Sequence, residues 1–440
     1  MRTALGSTTA RPEPASAPAS ATLLALERLL GGSPSHYAVE LWTGERLGPA
    51  PGVSPHFTLR LAHASALRRM LWPPGELSLA EAFVRGDFDV EGDLTAAFAL
   101  RERFSPRPAT VLEAVRLAAA PAPRGSPARA VRLRGPLHGR ERDALAVRHH
   151  YDLGNDFYAL WLDRRMVYSC AYFPSTTASL EEAQEAKLEL ICRKLRLAPG
   201  ERLLDVGCGW GGLVTWAAER HGVEAVGVTL SPPQAEWARA RIGALGLAGR
   251  CRVEVMDYRD LGNEAFDTVA SVGMFEHVGA RRLPEYFRQM HRLLRPGGVF
   301  LNHGIAALEP RSPMWRRLLW REGAFLRRYI FPDTELPPFL ATARAAAEAG
   351  FELRDVESLR EHYALTLRAW LGGLERRREE AIGAVGEGTW RAWRLYLAGS
   401  AHDFERASIG VYQALYAKPR DGRSGLPLGR EDWYRCPAVP

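Results

Sequence analysis

The segment "LLDVGCGWGG" (203–212) sets an apolar run, then Asp205, then Gly207, Gly209, Gly211 and Gly212 directly ahead of a helical pattern. Glycines let a chain turn tightly and approach a ligand with no Cβ in the way. The helix that follows presents free N–H groups and a positive dipole end to an anionic group. Gly207, Gly209 and Gly212 formally satisfy GxGxxG, which in dinucleotide sites is accompanied by an acidic residue about 20 positions on, at the end of the second strand. Here that strand ends "GVTLS", and the acid, Glu224, stands at its start. Asp205 immediately before the loop and Asp257 at the end of the third strand fit a site for S-adenosylmethionine (SAM) better, the bound anion then being the methionine carboxylate. The bland alternative is a tight βα turn with no ligand.

Glu276 follows the fourth strand of the same alternation, and strand carboxyl ends in such sheets face the ligand crevice. The cysteines, Cys170, Cys192, Cys208, Cys251 and Cys436, form no CxxC pair. A scattered, odd set suggests reduced thiols and no zinc or other metal site.

The elements that must position these groups are legible as a strand–helix alternation. Strands are expected at 202–207, 224–230, 251–258, 266–273 and 297–304, with amphipathic helices "LVTWAAERH", "PPQAEWARARIGAL" and "LPEYFRQMHRLL" between them. This argues an α/β fold of Rossmann-like type, a parallel sheet with helices on both faces. The first 21 residues, rich in Ala, Pro, Ser and Thr, read as a disordered tail. Residues 22–100 read as a small, mostly helical domain with a short strand or two and an acidic turn after Gly86. Residues 101–148, with 11 arginines against four acids, read as a basic linker with some helix, "ATVLEAVRLAAA". The catalytic domain is placed at 149–440.

The chain has 440 residues and a net charge of +7, carried almost wholly by arginine, since only Lys187, Lys194 and Lys418 are lysines. Such a balance comes from a GC-rich genome or from affinity for anionic surfaces such as phospholipid headgroups or nucleic acid. No stretch approaches the roughly 20 apolar residues of a membrane span. The N-terminus lacks the apolar core of a signal peptide. A cytoplasmic protein with peripheral membrane contact is the expectation.

Further segments carry a resemblance: "HHYDLGNDFYALWLD" (149–163), "YSCAYF" (168–173), "GVTLSPPQ" (227–234), "DYRD" (257–260), "SVGMFEHVG" (271–279), "LNHGI" (301–305), "YIFPDTELP" (329–337) and "HYALTLRAW" (362–370). With the glycine loop, they resemble the cyclopropane-fatty-acid synthase family of SAM-dependent lipid-modifying enzymes over residues 145–417. The resemblance implies a class I SAM-dependent methyltransferase fold. It implies action on a cis double bond in an unsaturated phospholipid acyl chain at the membrane surface. The alkene attacks the SAM methyl group, a carbocation forms, and a bound bicarbonate takes a proton before the ring closes. The positions implied to hold the bicarbonate are Cys170, Glu276, His303, Ile305 and Tyr363. Those implied for SAM are Tyr168, Ser169, Gly207, Gly209, Thr229, Gln234 and Asp257, beside Asp205.

The donor types suit an anion: His303, Tyr363 and the backbone N–H groups at Cys170 and Ile305 can all donate. Tyr168, Tyr172, Phe173 and Phe275 are aromatic faces for a cation. The run "RSPMWRRLLWREGAFLRRYIFPD" (311–333), with six arginines among Trp, Leu and Phe, suits a lipid-contacting lid or a helix packed on the domain. Relatives of the same fold make methyl- or methylene-branched chains instead. "AIGAVGEGTWRAWRLYLAGS" resembles that branch, whereas "VGMFEHVG" resembles the ring-forming one. Two other classes stand beside this reading: an RNA or small-metabolite methyltransferase, for which no nucleic-acid module is evident, and a catalytically dead SAM-binding scaffold. The N-terminal domain is expected to serve membrane docking or homodimer formation.

Overall fold

The computed structural model describes residues 19–32, 34–103, 130, 133–151, 153–308 and 323–434. Outside these lie most of the tail read as disordered, the linker helix read at 109–120, the arginine–tryptophan run 311–322, and Cys436. The chain divides into two compact units, one ending at Pro127 and including 319–321, the other formed by 128–318 and 322–440.

The first unit holds helices Ala19–Leu29, Ala66–Leu71 and Glu76–Arg85, two short helical turns, and strands β1 (Tyr37–Glu40), β2 (Arg46–Leu47), β3 (Phe57–Leu61) and β4 (Phe88–Gly92), ordered β2-β1-β3-β4. Its helix begins inside the 1–21 stretch read as tail, because Ala, Leu and Glu from Ala19 onward are strong helix formers. The acidic turn expected after Gly86 is β4. Phe88 and Val90 point inward while Asp89 and Glu91 face out, a period-two pattern hidden by acids at every second position. Gly86 does close its helix, at φ +77. Buried Asp87 is held by Arg69 at 2.7 Å and His63 at 3.1 Å.

The second unit is an α/β domain around a seven-stranded sheet: β5 (Arg202–Val206), β6 (Glu224–Thr229), β7 (Cys251–Val255), β8 (Phe266–Val272), β9 (Leu294–Ala307), β10 (Glu352–Ser358) and β11 (Ile409–Ala417), ordered β10-β11-β9-β8-β5-β6-β7. β9-β8-β5-β6-β7 are parallel, as the alternation requires, while β11 adds antiparallel to β9 and β10 antiparallel to β11. Successive residues serve opposite faces. Leu203 joins Ile191, Leu195, Val214 and Ala217, whereas Leu204 joins Val226, Phe287, Met290 and Phe300. The order reverses between β5 and β8, and there the carboxyl ends open the crevice in which such sheets bind ligands.

Residues 140–148, read as part of the linker, are instead most of the helix Arg140–Tyr151 of this second unit. Two of its three arginines, Arg140 and Arg142, are paired. Arg142 binds both oxygens of Asp333 at 2.5 and 2.8 Å, and Arg140 reaches Asp260 at 2.5 Å. Likewise the described end of the 311–333 run forms helix Ala324–Tyr329, with Phe325 buried and the carbonyls of Tyr329 and Ile330 accepting from His149 and His150. That favours packing on the domain for this part.

Gly304 lies on β9 between His303 and Ile305, and a methyl group there would fall inside the ring of Phe275. Phe275 is itself 3% exposed, so it has little room to yield. Gly304→Ala should cost about 1–3 kcal/mol. In a thermal melt it should lower Tm by a few degrees, and Phe275→Leu in the same chain should recover most of the loss. An unchanged Tm in the single variant would contradict this packing.

Candidate active site

A cleft of about 750 Å³, open at its mouth, lies over the carboxyl ends of β5, β6, β7 and β8. The helix Arg140–Tyr151 closes one side with Asp143, Val147 and Tyr151. Gly207 and Gly209 line the cleft in the left-handed region, at φ +82 and +54. A side chain at Gly207 would meet Met274 Cβ at 2.6 Å, so glycine is required there. The amides of Gly207 and Cys208 both donate to Val228 O, at 2.9 and 3.0 Å. Gly211 and Gly212 pack against Ala238 and Val167. The formal GxGxxG therefore splits into two glycines facing the cleft and a packing one.

Thr229 and Gln234 line the same cleft. The Thr229 hydroxyl donates to Gln234 Oε1 at 2.8 Å, which turns the amide NH2 the other way. Asp257 forms another wall, but Arg259 occupies its carboxylate from the backbone (2.9 Å), from Nε (2.8 Å) and from Nη2 (2.6 Å). Burial pushes that carboxyl up, and the Arg259 bonds outweigh it, leaving it below the ordinary range. Arg259 also reaches Asp143 at 3.1 Å, tying the cleft wall to the covering helix.

Tyr168, Ser169 and Asp205 stand behind the lining. Tyr168 hydrogen-bonds Tyr396 at 3.0 Å inside an aromatic cluster with Tyr158, Trp161 and Trp370. Ser169 accepts from the buried ammonium of Lys187 at 2.9 Å and approaches Gly273 of the cleft wall. Asp205 sits under the loop with Oδ1 unpartnered among the described residues, and burial pushes its carboxyl up to about 7. Burial also pulls Lys187 down to about 8.

The remaining five residues converge from two sides. Segment 168–173 is stapled to the helix Arg360–Arg376. Ala171 N donates to Thr366 Oγ1 (3.0 Å), Phe173 N to His362 Nδ1 (2.9 Å), and Tyr172 stacks on His362 at 4.7 Å. That joins Cys170 to the helix that carries Tyr363. From the sheet come His303 and Ile305 on β9 and Glu276 on the turn Phe275–His277 after β8. Leu359 links the two sides: its N–H donates to Val411, which pairs with Ile305 on β9, and its carbonyl accepts from the Cys170 thiol at 3.6 Å and the Tyr363 amide at 3.0 Å. Burial, first of all, holds Tyr363 well above its ordinary pKa. Burial raises Cys170, lowers His303 far below its usual value, and pushes Glu276 up to about 7.

One expectation is corrected. The Ile305 N–H is not free for an anion, because it donates to Glu276 Oε1 at 2.8 Å. A buried carboxylate oxygen needs a donor, and the backbone of β9 supplies it. Glu276 Oε2 and His303 Nε2 are left buried with no partner among the described residues. The sequence reading also missed Tyr151, His150, Tyr396 and Trp393, whose rings pack into one cluster with Phe331 and Tyr168. The aromatic density of "HHYDLGNDFYALWLD" was a signal for His150 and Tyr151, whereas Trp393 and Tyr396 lie far along the chain in "AIGAVGEGTWRAWRLYLAGS". Among the described residues no His, Cys, Asp and Glu group could hold a metal ion. No described helix is long and apolar enough to cross a membrane.

A family model described as mycolic acid cyclopropane synthetase matches residues 138–414. A probable fatty acid methyltransferase of Pseudomonas putida is 41% identical over 400 residues, covering 90% of this chain and 96% of that protein. The cyclopropane-fatty-acyl-phospholipid synthase of Escherichia coli strain K12 is 36% identical over 294 residues, 67% of this chain and 72% of its own. A mycolic acid cyclopropane synthase crystallised with SAH and CTAB superposes at TM-score 0.60 with 37% identity, covering 62% of this chain and 97% of that one. Coclaurine N-methyltransferase, at 19% identity and TM-score 0.53, shares the fold.

The Glu276 carboxyl generates a pH prediction. Between its ordinary 4.5 and about 7, the folded chain keeps a proton that the unfolded chain has released. Stability contributed by this group therefore falls as pH rises through that window. Glu276→Gln should remove that loss. Denaturant unfolding should find the variant more stable than wild type by about 1–3 kcal/mol at pH 8, with the gap closing towards pH 4.5. A gap independent of pH would refute the burial effect.

Proposed function

The chain belongs to the mycolic acid cyclopropane synthetase family of SAM-dependent methyltransferases, and from that premise we propose that it adds a methylene unit from SAM across a cis double bond in a phospholipid acyl chain. The observation that carries the proposal is the pair of unpartnered buried atoms, Glu276 Oε2 and His303 Nε2, on the turn and strand that Leu359 links to Cys170 and Tyr363. In the proposed reaction the alkene π-electrons form a bond to the SAM methyl carbon as its bond to sulfur breaks. S-adenosylhomocysteine leaves and a carbocation remains on the chain. A proton must then leave the new methyl group, and the electrons of that C–H bond close the ring.

The donor set fits a bicarbonate: His303 and the Tyr363 hydroxyl can donate, and the second Glu276 oxygen can accept from an O–H. A bicarbonate held there would supply a base within reach of the new methyl group. The chain's own part is to orient. Ile305 fixes one oxygen of Glu276, Thr366 fixes the backbone directly after Cys170, and Gln413 contacts His303. Dry aromatic faces such as Tyr151, Tyr168 and Trp393 stabilise a cation by roughly 1–2 kcal/mol each and keep water from trapping it. The arginine-rich composition supports a peripheral position on anionic lipid.

A second reading is favoured by the relatives named fatty acid methyltransferases, which cover more of the chain than the synthase does. There the same carbocation would yield a methyl- or methylene-branched chain.

Purified protein with SAM, bicarbonate and mono-unsaturated phospholipid vesicles decides between them. Upfield cyclopropane protons with loss of the alkene signal are expected in the NMR spectrum. An exocyclic methylene signal would move the protein to the branching reaction, and untouched lipid would overturn both. Glu276→Gln should keep S-adenosylhomocysteine affinity within about threefold and lower turnover by about 100-fold or more. Full turnover in that variant would refute its role.

A further inference from the structure

His303 and Gln413 face each other across the antiparallel β9–β11 pair. Gln413 Nε2 lies 3.2 Å from His303 Nδ1, and Gln413 Oε1 lies 2.9 Å from Lys194 Nζ. Lys194, fully buried on the helix Leu180–Leu195, is paired with Glu357 and has Asp355 at 3.9 Å. Which end of a glutamine amide is oxygen follows from its partners. An ammonium only donates, so the amide group facing Lys194 must be the carbonyl oxygen. The NH2 then faces His303 and only donates. Nδ1 of His303 must therefore be the bare acceptor, and the ring proton sits on Nε2. Nε2 is the atom left buried and unpartnered.

We propose that Lys194 and Gln413 are positioning residues that lock His303 as its Nε2–H tautomer, a one-way donor relay running from the ammonium through the amide to the imidazole. The acids at Glu357 and Asp355 balance the ammonium, so Lys194 acts by direction and not as a free charge. A locked donor suits an anion and excludes the tautomer that would turn a lone pair towards it. This last link rests on the bicarbonate reading above, whereas the tautomer itself does not.

The test is nitrogen NMR of histidine-labelled protein, with the His303 signal identified by its loss in His303→Gln. Wild type should show protonated Nε2 and bare Nδ1. Gln413→Glu, which presents an acceptor in place of the NH2, should move the proton to Nδ1 or add a second one. Lys194→Met, which leaves the amide free to rotate, should give a mixture. If Lys194→Met fails to fold, Gln413→Leu replaces it. In Gln413→Glu the bicarbonate concentration for half-maximal rate should rise about tenfold or more, as for one lost hydrogen bond to a charged group, with S-adenosylhomocysteine affinity unchanged. Protonated Nδ1 in wild type, or an unmoved proton in Gln413→Glu, overturns the relay. A moved proton with unchanged bicarbonate dependence keeps the relay and overturns the bicarbonate reading.

Discussion

A carboxylate removed from water and held by one backbone amide is the constraint around which the catalytic unit is arranged. Glu276 cannot be buried without a donor, and Ile305 N–H is that donor. The bond joins the turn after β8 to β9, and in that turn Phe275 lies so close to β9 that only a glycine at 304 leaves it room. The same turn carries His277, which lines the cleft and which burial pulls down to about 4, so it stays neutral. The cleft lining and the buried Glu276 thus share the six-residue stretch Gly273–Val278 after one strand.

The parallel part of the fold was legible because its strands are short apolar runs separated by amphipathic helices. Its ends agree with the sequence reading to within a few residues, as at β5 and β8. β10 and β11 were not legible. β10, "ELRDVES", alternates acids with apolar residues at the sheet edge and reads as polar loop, and β11 follows a long helical stretch with no turn signal. The helix Arg140–Tyr151 was hidden for a related reason: only Asp333 and Asp260, far along the chain, turn its arginines from a charge run into anchors.

Site residues divide in the same way. Gly207, Gly209, Thr229, Gln234 and Asp257 follow local motifs, and the structure brings all five to one cleft. The roles of backbone groups were not legible, because which N–H remains free depends on tertiary pairing, as Ile305 shows. The ring of aromatics was also out of reach, since Tyr151, Tyr396 and Phe331 come from three distant segments.

Each of the chain's three lysines anchors groups inside the second unit, Lys187 and Lys194 wholly buried and Lys418 half-buried. Lys187 holds Ser169, Lys194 holds Gln413 and Glu357, and Lys418 holds the carbonyls of His291 and Leu294. A compact ammonium fits such interior nodes where a planar guanidinium, with five donors to satisfy, does not. Lys187 and Lys194 are at most 1% exposed. Amine-directed reagents therefore find Lys418 as the one lysine within reach on the folded unit, and acylation of Lys187 or Lys194 becomes a clock for how often the interior behind the cleft opens.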